Sequence, residues 1–227
     1  MAKAEIADLH AAGRLPILVG GTGLYLRTLL DGIAPVPPID PAIRAAVRAA
    51  SVADNHAALA LLDPAAAAAL NPGDTTRIAR ALEVVQSSGR TLASWQQRSE
   101  GGIADEITLR PLVLLPPRDW LLERCDRRFA AMLDHGAVAE VAALLARNLN
   151  SQLPVMRAIG VPELAAMIRG DLTRDQAIAA GQLATRRYAK RQYTWFSNQP
   201  PPDWPRFTEP LDEGNIAAAL ALLMVTG

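Results

Sequence analysis

The residues of this chain best suited to chemistry are cations in the segment A-T-R-R-Y-A-K-R-Q-Y-T-W-F, residues 184–196. Helical i, i+4 spacing would stack its four cations in two pairs, and residues 176–202 contain no acid to neutralise them. Cations can hold the phosphates of an RNA backbone, while interleaved aromatic and amide side chains can stack on or read bases. The same pattern also fits a solvated helix face whose aromatic residues lie in the core. The four cations are Arg186, Arg187, Lys190 and Arg191.

A glycine-rich turn, V-G-G-T-G at 19–23, follows the apolar run 15–18, and a strand is predicted at 17–19. Glycine-rich turns after strands often hold phosphate, but a P-loop needs a Gly-Lys pair, and this sequence has none. The turn also lacks the G-x-G-x-x-G spacing. It is therefore either a simple tight turn or a loop that approaches a backbone or ligand closely, with the Thr22 hydroxyl available.

Other basic residues form weaker patterns. Arg77 and Arg80 share a face near the start of a predicted helix, and Arg124 and Arg128 are spaced i, i+4 on another. Such pairs are usually surface salt-bridge partners, whereas Arg157 lies in a connector, where function concentrates. The three histidines form no ligand motif, a single cysteine excludes a zinc cluster, and G-x-S-x-G is absent. The residues thus suggest phosphate binding without an evident acid or base.

The elements that must position these residues are mostly helices. A proline-rich stretch, 34–41, marks a boundary, and almost all of 41–95 is predicted to be helical. Strands are predicted at 17–19 and 109–115. Two separated strands among many helices predict an α/β fold with an incomplete parallel sheet, because two strands alone are poorly stable. The remaining helices are predicted at 2–12, 25–30, 120–147, 162–169, 174–196 and near the C-terminus. Helix N-caps are predicted at Asp40, at Asp63 and at Asp74 or Thr75, and a capping box is predicted at residues 173–176.

Composition limits the class of protein. The 227 residues carry 23 basic and 23 acidic side chains, so any nucleic-acid site must be local. The lone Cys125 cannot form an internal disulfide, which suits a reducing compartment. No signal-peptide pattern is visible, and the apolar stretch 216–225 is shorter than the ~20 residues of a membrane span. A soluble, cytoplasmic protein with no membrane partner is predicted.

Five motifs, in this order and spacing, resemble the tRNA dimethylallyltransferase (isopentenyltransferase) family. The resemblance runs from about residue 5 to about residue 205. It implies transfer of a dimethylallyl group from dimethylallyl diphosphate to N6 of the adenosine just 3′ of the anticodon, in tRNAs reading codons that begin with U. It also implies base flipping and Mg²⁺ to help neutralise the diphosphate. The motifs are L-P-I-L-V-G-G-T-G-L-Y, D-P-A-I-R, D-T-T-R-I-A-R-A-L-E-V, L-P-V-M-R-A-I-G and A-T-R-R-Y-A-K-R-Q-Y-T-W-F.

The resemblance further implies a nucleotide- and ATP-binding, P-loop-NTPase-like parallel sheet core, and a monomer. The core would comprise residues 1–36 and 96–227, with a helical insertion at 37–95 on the anticodon-loop side. The implied diphosphate or phosphate contacts are Arg124, Arg128, Arg186 and Arg187. The implied contacts with the tRNA anticodon stem-loop are Thr22, Arg44, Thr76, Arg77, Arg80, Arg157, Gly160, Lys190, Arg191, Gln192 and Trp195.

The sequence also departs from the family pattern. Val161-Pro162 stand where many members carry an aromatic and a basic residue. The P-loop with its threonine, and the D-S-x-Q segment with the base-like aspartate, are not in these residues. We therefore expect an N-terminally truncated chain that is inactive alone, with V-G-G-T-G as a second loop beside the base pocket. A catalytically dead tRNA-binding remnant and a poorly folding fragment are the alternatives.

Overall fold

The structure, a computed structural model, describes residues 1–224 and is built largely of helices. The chain forms two units. Unit 1 comprises Met1–Gly20 and Leu24–Thr108, and unit 2 comprises Gly21–Gly23 and the chain from Leu109 onwards. Each unit has its own hydrophobic core.

The first seven helices precede residue 97. Their boundaries follow local capping: Asp40 accepts a hydrogen bond from the Ala42 amide at 2.7 Å, and Asp74 accepts one from the Arg77 amide at 3.0 Å. These two caps confirm the sequence prediction. The helices are α1 (Ala2–Ala11), α2 (Gly23–Asp31), α3 (Pro41–Ala49), α4 (Val52–Leu62), α5 (Pro64–Ala69), α6 (Thr75–Ser88) and α7 (Leu92–Gln96).

The core of unit 1 lies between α3, α4, α5 and α6. Leu59 and Ile78 are fully buried there. At the edge of this core the Arg48 Nε donates to the Glu83 carboxylate at 2.6 Å, joining α3 to α6. The apolar core residues are Val47, Leu59, Ala67, Ile78, Ala79, Ala81, Leu82 and Val85.

The predicted strand at 17–19 is wrong. Residues 14–20 adopt no regular element, and the side chains of Ile17 and Val19 are 80% and 93% exposed. A β-strand needs a neighbour to accept and donate its backbone hydrogen bonds, and no described strand of unit 1 offers one.

Unit 2 contains a short sheet and five helices. The parallel strands β1 (Val113–Leu114) and β2 (Arg206–Phe207) pair Val113 with Arg206 and Leu114 with Phe207. The predicted strand 109–115 thus shrinks to two residues, and β2 was not foreseen. The helices are α8 (Arg118–Asp134), α9 (Ala137–Ala146), α10 (Val161–Arg169), α11 (Arg174–Asn198) and α12 (Ile216–Met224).

The predicted single helix at 120–147 is also wrong, because it breaks between α8 and α9. Gly136 has a φ of +101°, a left-handed conformation that interrupts the helical hydrogen bonds, and the two helices bend by 66°. Within residues 1–224 no single helix is long and apolar enough to cross a membrane; only α8 and α9 taken together, as that bent pair, meet the length and composition. Their apolar faces contribute to the unit 2 core.

The core of unit 2 joins α8, α9, α10 and α11. Here α8 and α11 approach closely because Gly181 has no side chain: a Cβ at this position would overlap the Phe129 ring. The predicted capping box at the start of α11 is confirmed, with the Gln176 side chain accepting from the Thr173 amide at 2.8 Å. The buried core residues are Phe129, Leu133, Val141, Leu164, Ala165 and Ala177.

Candidate RNA-binding face and pocket

The basic segment predicted from the sequence forms the C-terminal half of α11. Arg187, Lys190 and Arg191 are exposed, and none has a carboxylate within ion-pair distance among residues 1–224. Three free cations thus lie within two turns of one helix. We call Arg187, Lys190 and Arg191 the α11 cations.

Arg186 is different from its three neighbours. Its guanidinium pairs with the Asp126 carboxylate of α8 at 2.6 Å, and both side chains are partly buried. The expectation that this cation would lack an acidic partner, drawn from residues 176–202, is wrong because the partner comes from another helix. The second Asp126 oxygen, Oδ1, is buried and has no hydrogen-bond partner within the described part of the chain.

The aromatic residues of α11 divide between surface and interior. Tyr188 is 37% exposed, and the Arg191 guanidinium lies 5.4 Å from its ring centroid. Trp195 is half-buried and meets Phe196 edge-on, with ring centroids 4.8 Å apart. The interpretation that all these aromatics belong to the core therefore fails at Tyr188, which stands among the α11 cations.

The V-G-G-T-G turn packs on the same helix through Gly21–Gly23, which belong to unit 2. The Gln192 side-chain amide donates to the Gly21 carbonyl at 2.9 Å. A Cβ on Gly21 would overlap Gln192, and one on Gly23 would overlap the Trp195 ring. Gly23 is needed for this close approach because the Trp195 ring fills the space of a side chain, whereas the flexible end of Gln192 could move aside at Gly21. The close approach to α11 decides between the alternatives left open by the sequence.

Thr22 is exposed between those two glycines. Gln192 and Trp195, predicted as RNA contacts, also hold this loop and therefore position the Thr22 hydroxyl beside the cationic helix. The sequence identified all three residues as candidate contacts. It could not show that the loop packs on the helix, because the two lie 171 positions apart.

A pocket of about 280 Å³ lies between α8 and α11. Its walls are mostly apolar, with Leu121, Leu122 and Ala189 contributing aliphatic surface. Four cations surround this surface, so the pocket suits a small molecule with an apolar body and an anionic head. The cations lining it are Arg118, Arg186, Arg187 and Lys190, and the Arg118 guanidinium also lies 4.8 Å from the Tyr193 ring centroid.

The predicted phosphate ligands Arg124 and Arg128 lie elsewhere on α8. Both are exposed and outside the pocket lining, and Arg124 stacks on Trp120 at 5.3 Å. Neither forms an ion pair with any described residue. Burial raises the pKa of the neighbouring Cys125 thiol; the Arg128 charge partly opposes this shift and Asp126 adds to it.

The connector places its two predicted contacts differently. Arg157 is exposed at the end of a short 3₁₀ turn, Pro154–Arg157, and is available to a ligand. Gly160 is buried, has a φ of +100°, and its amide already donates to Glu163 at 2.9 Å. Gly160 therefore shapes the connector, and its N–H is already used within the chain.

The remaining predicted contacts belong to unit 1. Arg44 is exposed on α3, which packs on α6. Thr76 and Arg77 are exposed in the first turn of α6, Arg80 is half-buried one turn later, and Arg77 pairs loosely with Asp74 at 3.6 Å. These residues leave a polar, mostly cationic surface at the start of α6.

Within the described residues no group of three or more His, Cys, Asp or Glu side chains could hold a metal ion. The Mg²⁺ implied by the sequence resemblance stays a prediction.

Comparison with known proteins identifies the family of the chain. The family model described as IPP transferase matches residues 1–199, most of the chain. The chain belongs to the IPP transferase family. The resemblance predicted from five sequence motifs is thereby confirmed.

Curated relatives of this family member are close. A tRNA dimethylallyltransferase of Sphingopyxis alaskensis is 70% identical over 210 residues, which are 92% of this chain and 69% of the relative. One of Erythrobacter litoralis is 63% identical over 205 residues, 90% of this chain and 65% of the relative. The chain thus spans about two thirds of the length of these relatives, which are named as prenyl-transferring enzymes of tRNA.

Solved structures support the fold of this family member. The tRNA isopentenylpyrophosphate transferase of Bacillus halodurans matches with a TM-score of 0.59 and 30% identity, over 98% of this chain and 72% of that one. A eukaryotic dimethylallyltransferase acting on tRNA matches with a TM-score of 0.66 over 86% of this chain and 50% of that one; at 24% identity it supports the fold alone. The described residues contain a two-stranded parallel sheet, and a larger P-loop-NTPase-like core stays a prediction.

Proposed function

We propose that these residues supply the tRNA-binding surface of a tRNA dimethylallyltransferase acting in the cytoplasm. The reaction transfers a dimethylallyl group from dimethylallyl diphosphate to N6 of the adenosine just 3′ of the anticodon. The observation that carries this proposal is the set of α11 cations, unpaired among residues 1–224, beside the Gly21–Gly23 loop.

Local charge on α11 favours RNA binding. The chain as a whole has a formal charge of zero, so long-range attraction cannot account for RNA binding. The α11 cations lack acidic partners among the described residues, so each can neutralise a phosphate. Tyr188, exposed among them, offers a ring on which a base can stack.

The test is the salt dependence of tRNA binding. We expect alanine at Arg187, Lys190 and Arg191 together to lower the slope of log affinity against log salt by about 2 to 3, because three phosphate contacts are lost. Fluorescence anisotropy with a labelled anticodon stem-loop, in a series of salt concentrations, measures this slope.

Arg147→Ala is the matched control, since Arg147 is exposed on unit 2 and unpaired among the described residues. The control slope should equal that of the unsubstituted chain. Equal slopes for the control and the triple variant would remove α11 from the interface, and salt-independent binding of the unsubstituted chain would overturn the proposal.

We assign the prenyl donor to the pocket between α8 and α11. Leu121 and Leu122 would contact its five-carbon chain, and Arg118 would face its diphosphate. Arg186 contributes less net charge than its position suggests, because Asp126 already neutralises it. Arg124 and Arg128 remain candidates for tRNA phosphates from their exposed positions on α8.

Filling the pocket tests this assignment. Leu121→Trp should weaken dimethylallyl diphosphate binding at least tenfold by calorimetry while leaving the salt slope for tRNA unchanged. Leu183→Trp adds the same bulk at an exposed position of α11 that does not line the pocket, and should leave donor binding intact. Equal donor affinities for the two folded variants would place the donor elsewhere.

The 227 residues contain no G-x-x-x-x-G-K-[ST] motif and no D-S-x-Q segment. We propose that this polypeptide, assayed by itself, binds tRNA without transferring the prenyl group. Incubation with tRNA and radiolabelled dimethylallyl diphosphate tests this, and label incorporated into tRNA would contradict it. A catalytically dead RNA-binding protein is the alternative, and it predicts binding with no transfer even when the missing motifs are supplied on a second polypeptide.

A further inference from the structure

Unit 1 carries a pocket of its own, at the end of α6 opposite Thr76 and Arg77. Its volume is about 270 Å³. Since α6 has 14 residues, this pocket lies about 20 Å along the helix from the predicted contacts in its first turn. The residues that line it are Pro35, Arg90, Ser94, Trp95, Arg98 and Glu100.

Two of these side chains, Arg90 and Trp95, make specific contacts within unit 1. The Arg90 guanidinium lies 4.3 Å from the Trp95 ring centroid and donates to the Ser94 hydroxyl at 2.9 Å. The Trp95 indole N–H in turn donates to the Ser88 hydroxyl at 3.0 Å. An arginine fixed in this way loses little conformational freedom when it binds a ligand.

The charge of the pocket restricts the ligand. Arg90 and Arg98 have no carboxylate within 4.0 Å in the part of the chain described, and Glu100 is the one acidic residue of the lining. Two guanidiniums and one carboxylate leave a net charge of one. That charge matches one phosphodiester group, whereas a diphosphate would be left largely uncompensated.

We infer that this pocket binds one nucleotide of the tRNA, its phosphodiester between Arg90 and Arg98 and its base against Trp95. Arginine paired with an aromatic ring is a frequent arrangement for single-stranded nucleic acid. The inference rests on the proposed tRNA-binding function and adds a contact that none of the sequence motifs indicated. Glu100 keeps this contact weak and selects a singly charged group.

Two substitutions that change the charge of this pocket in opposite directions test the inference. Arg98→Ala should weaken binding of the anticodon stem-loop roughly three- to tenfold and lower its salt slope by about 1. Glu100→Gln should do the reverse, tightening binding, because it removes the repelling charge while keeping the shape of the side chain. A purely structural role for these exposed residues predicts no change in either variant.

Arg90→Met tests the fixed arginine, since methionine can still pack on Trp95. It should lower the slope by about 1 with the melting temperature within a few degrees of that of the unsubstituted chain. Unchanged slopes in the Arg90 and Arg98 variants, alongside a lowered slope in the triple α11 variant, would overturn this inference and leave the proposed function standing. Unchanged slopes in all three would count against both.

Discussion

At the scale of single residues, the Arg48–Glu83 ion pair stabilises unit 1. The Glu83 side chain is 2% exposed and that of Arg48 is 51% exposed. Arg48→Met would leave a buried carboxylate without its partner, and we expect the free energy of unfolding to fall by about 2 kcal/mol. This is less than for a fully buried pair because solvent already screens Arg48. Urea denaturation followed by circular dichroism measures the loss.

Arg44→Met is the matched control, because Arg44 lies one turn earlier on the same helix, exposed and without an ion pair to any described residue. It should change stability by less than about 0.5 kcal/mol. Adding Glu83→Gln to Arg48→Met should recover much of the loss, since the buried group then carries no charge. Equal losses in both arginine variants would show that helix packing, and not the ion pair, is responsible.

Individual residues also show what sequence could predict. The α11 cations were visible because their spacing is local. The neutralisation of Arg186 was not, because Asp126 lies 60 positions earlier and only the packing of α8 against α11 brings the two together. Likewise, the glycine-rich turn at 19–23 was recognisable as unusual from the sequence. The sequence could not show that Gly21 packs on Gln192 and that Gly23 packs on Trp195.

At the scale of elements, Gly181 sets the distance between α8 and α11. Alanine has a better helix propensity than glycine by about 1 kcal/mol, so Gly181→Ala would stabilise an isolated helix. In this protein the new methyl group would overlap the Phe129 ring, which is buried in the core. We expect a net destabilisation of about 1 to 3 kcal/mol, measured by urea denaturation.

A double variant distinguishes overlap with the Phe129 ring from other causes of the destabilisation by Gly181→Ala. Phe129→Leu replaces the ring by a shorter aliphatic side chain, so Gly181→Ala should be far less costly in that background than alone. Additive effects of the two substitutions would show that the helices do not meet through this contact.

Helix ends were better predicted than strands, for a physical reason. A cap such as Thr173 with Gln176 is satisfied within four residues, so its signal is local. A strand depends on its neighbour: residues 17–19 have the composition of a strand but no partner, whereas Arg206–Phe207 gave no signal and pair with β1. The break at Gly136 was missed because the apolar spacing continues through it.

At the scale of the whole molecule, net charge and exposed apolar surface both favour association between copies of the chain. The formal charge is zero, so no net repulsion keeps copies of the chain apart. Residues 15–19 expose Leu15, Ile17 and Val19 by at least 80% each, in a segment that belongs to no helix or strand of the described chain. Such a segment favours association between chains, which opposes the monomer implied by the sequence resemblance.

Two substitutions test this association. Ile17→Lys with Val19→Lys should lower the apparent mass of the concentrated protein toward that of one chain in multi-angle light scattering, because strand pairing through an apolar segment is lost. Leu61→Lys with Leu62→Lys adds the same two charges at exposed apolar positions of α4 and should have little effect. A similar decrease in both variants would assign the association to net charge, and a concentration-independent mass of one chain before any substitution would show that the exposed segment does not self-associate.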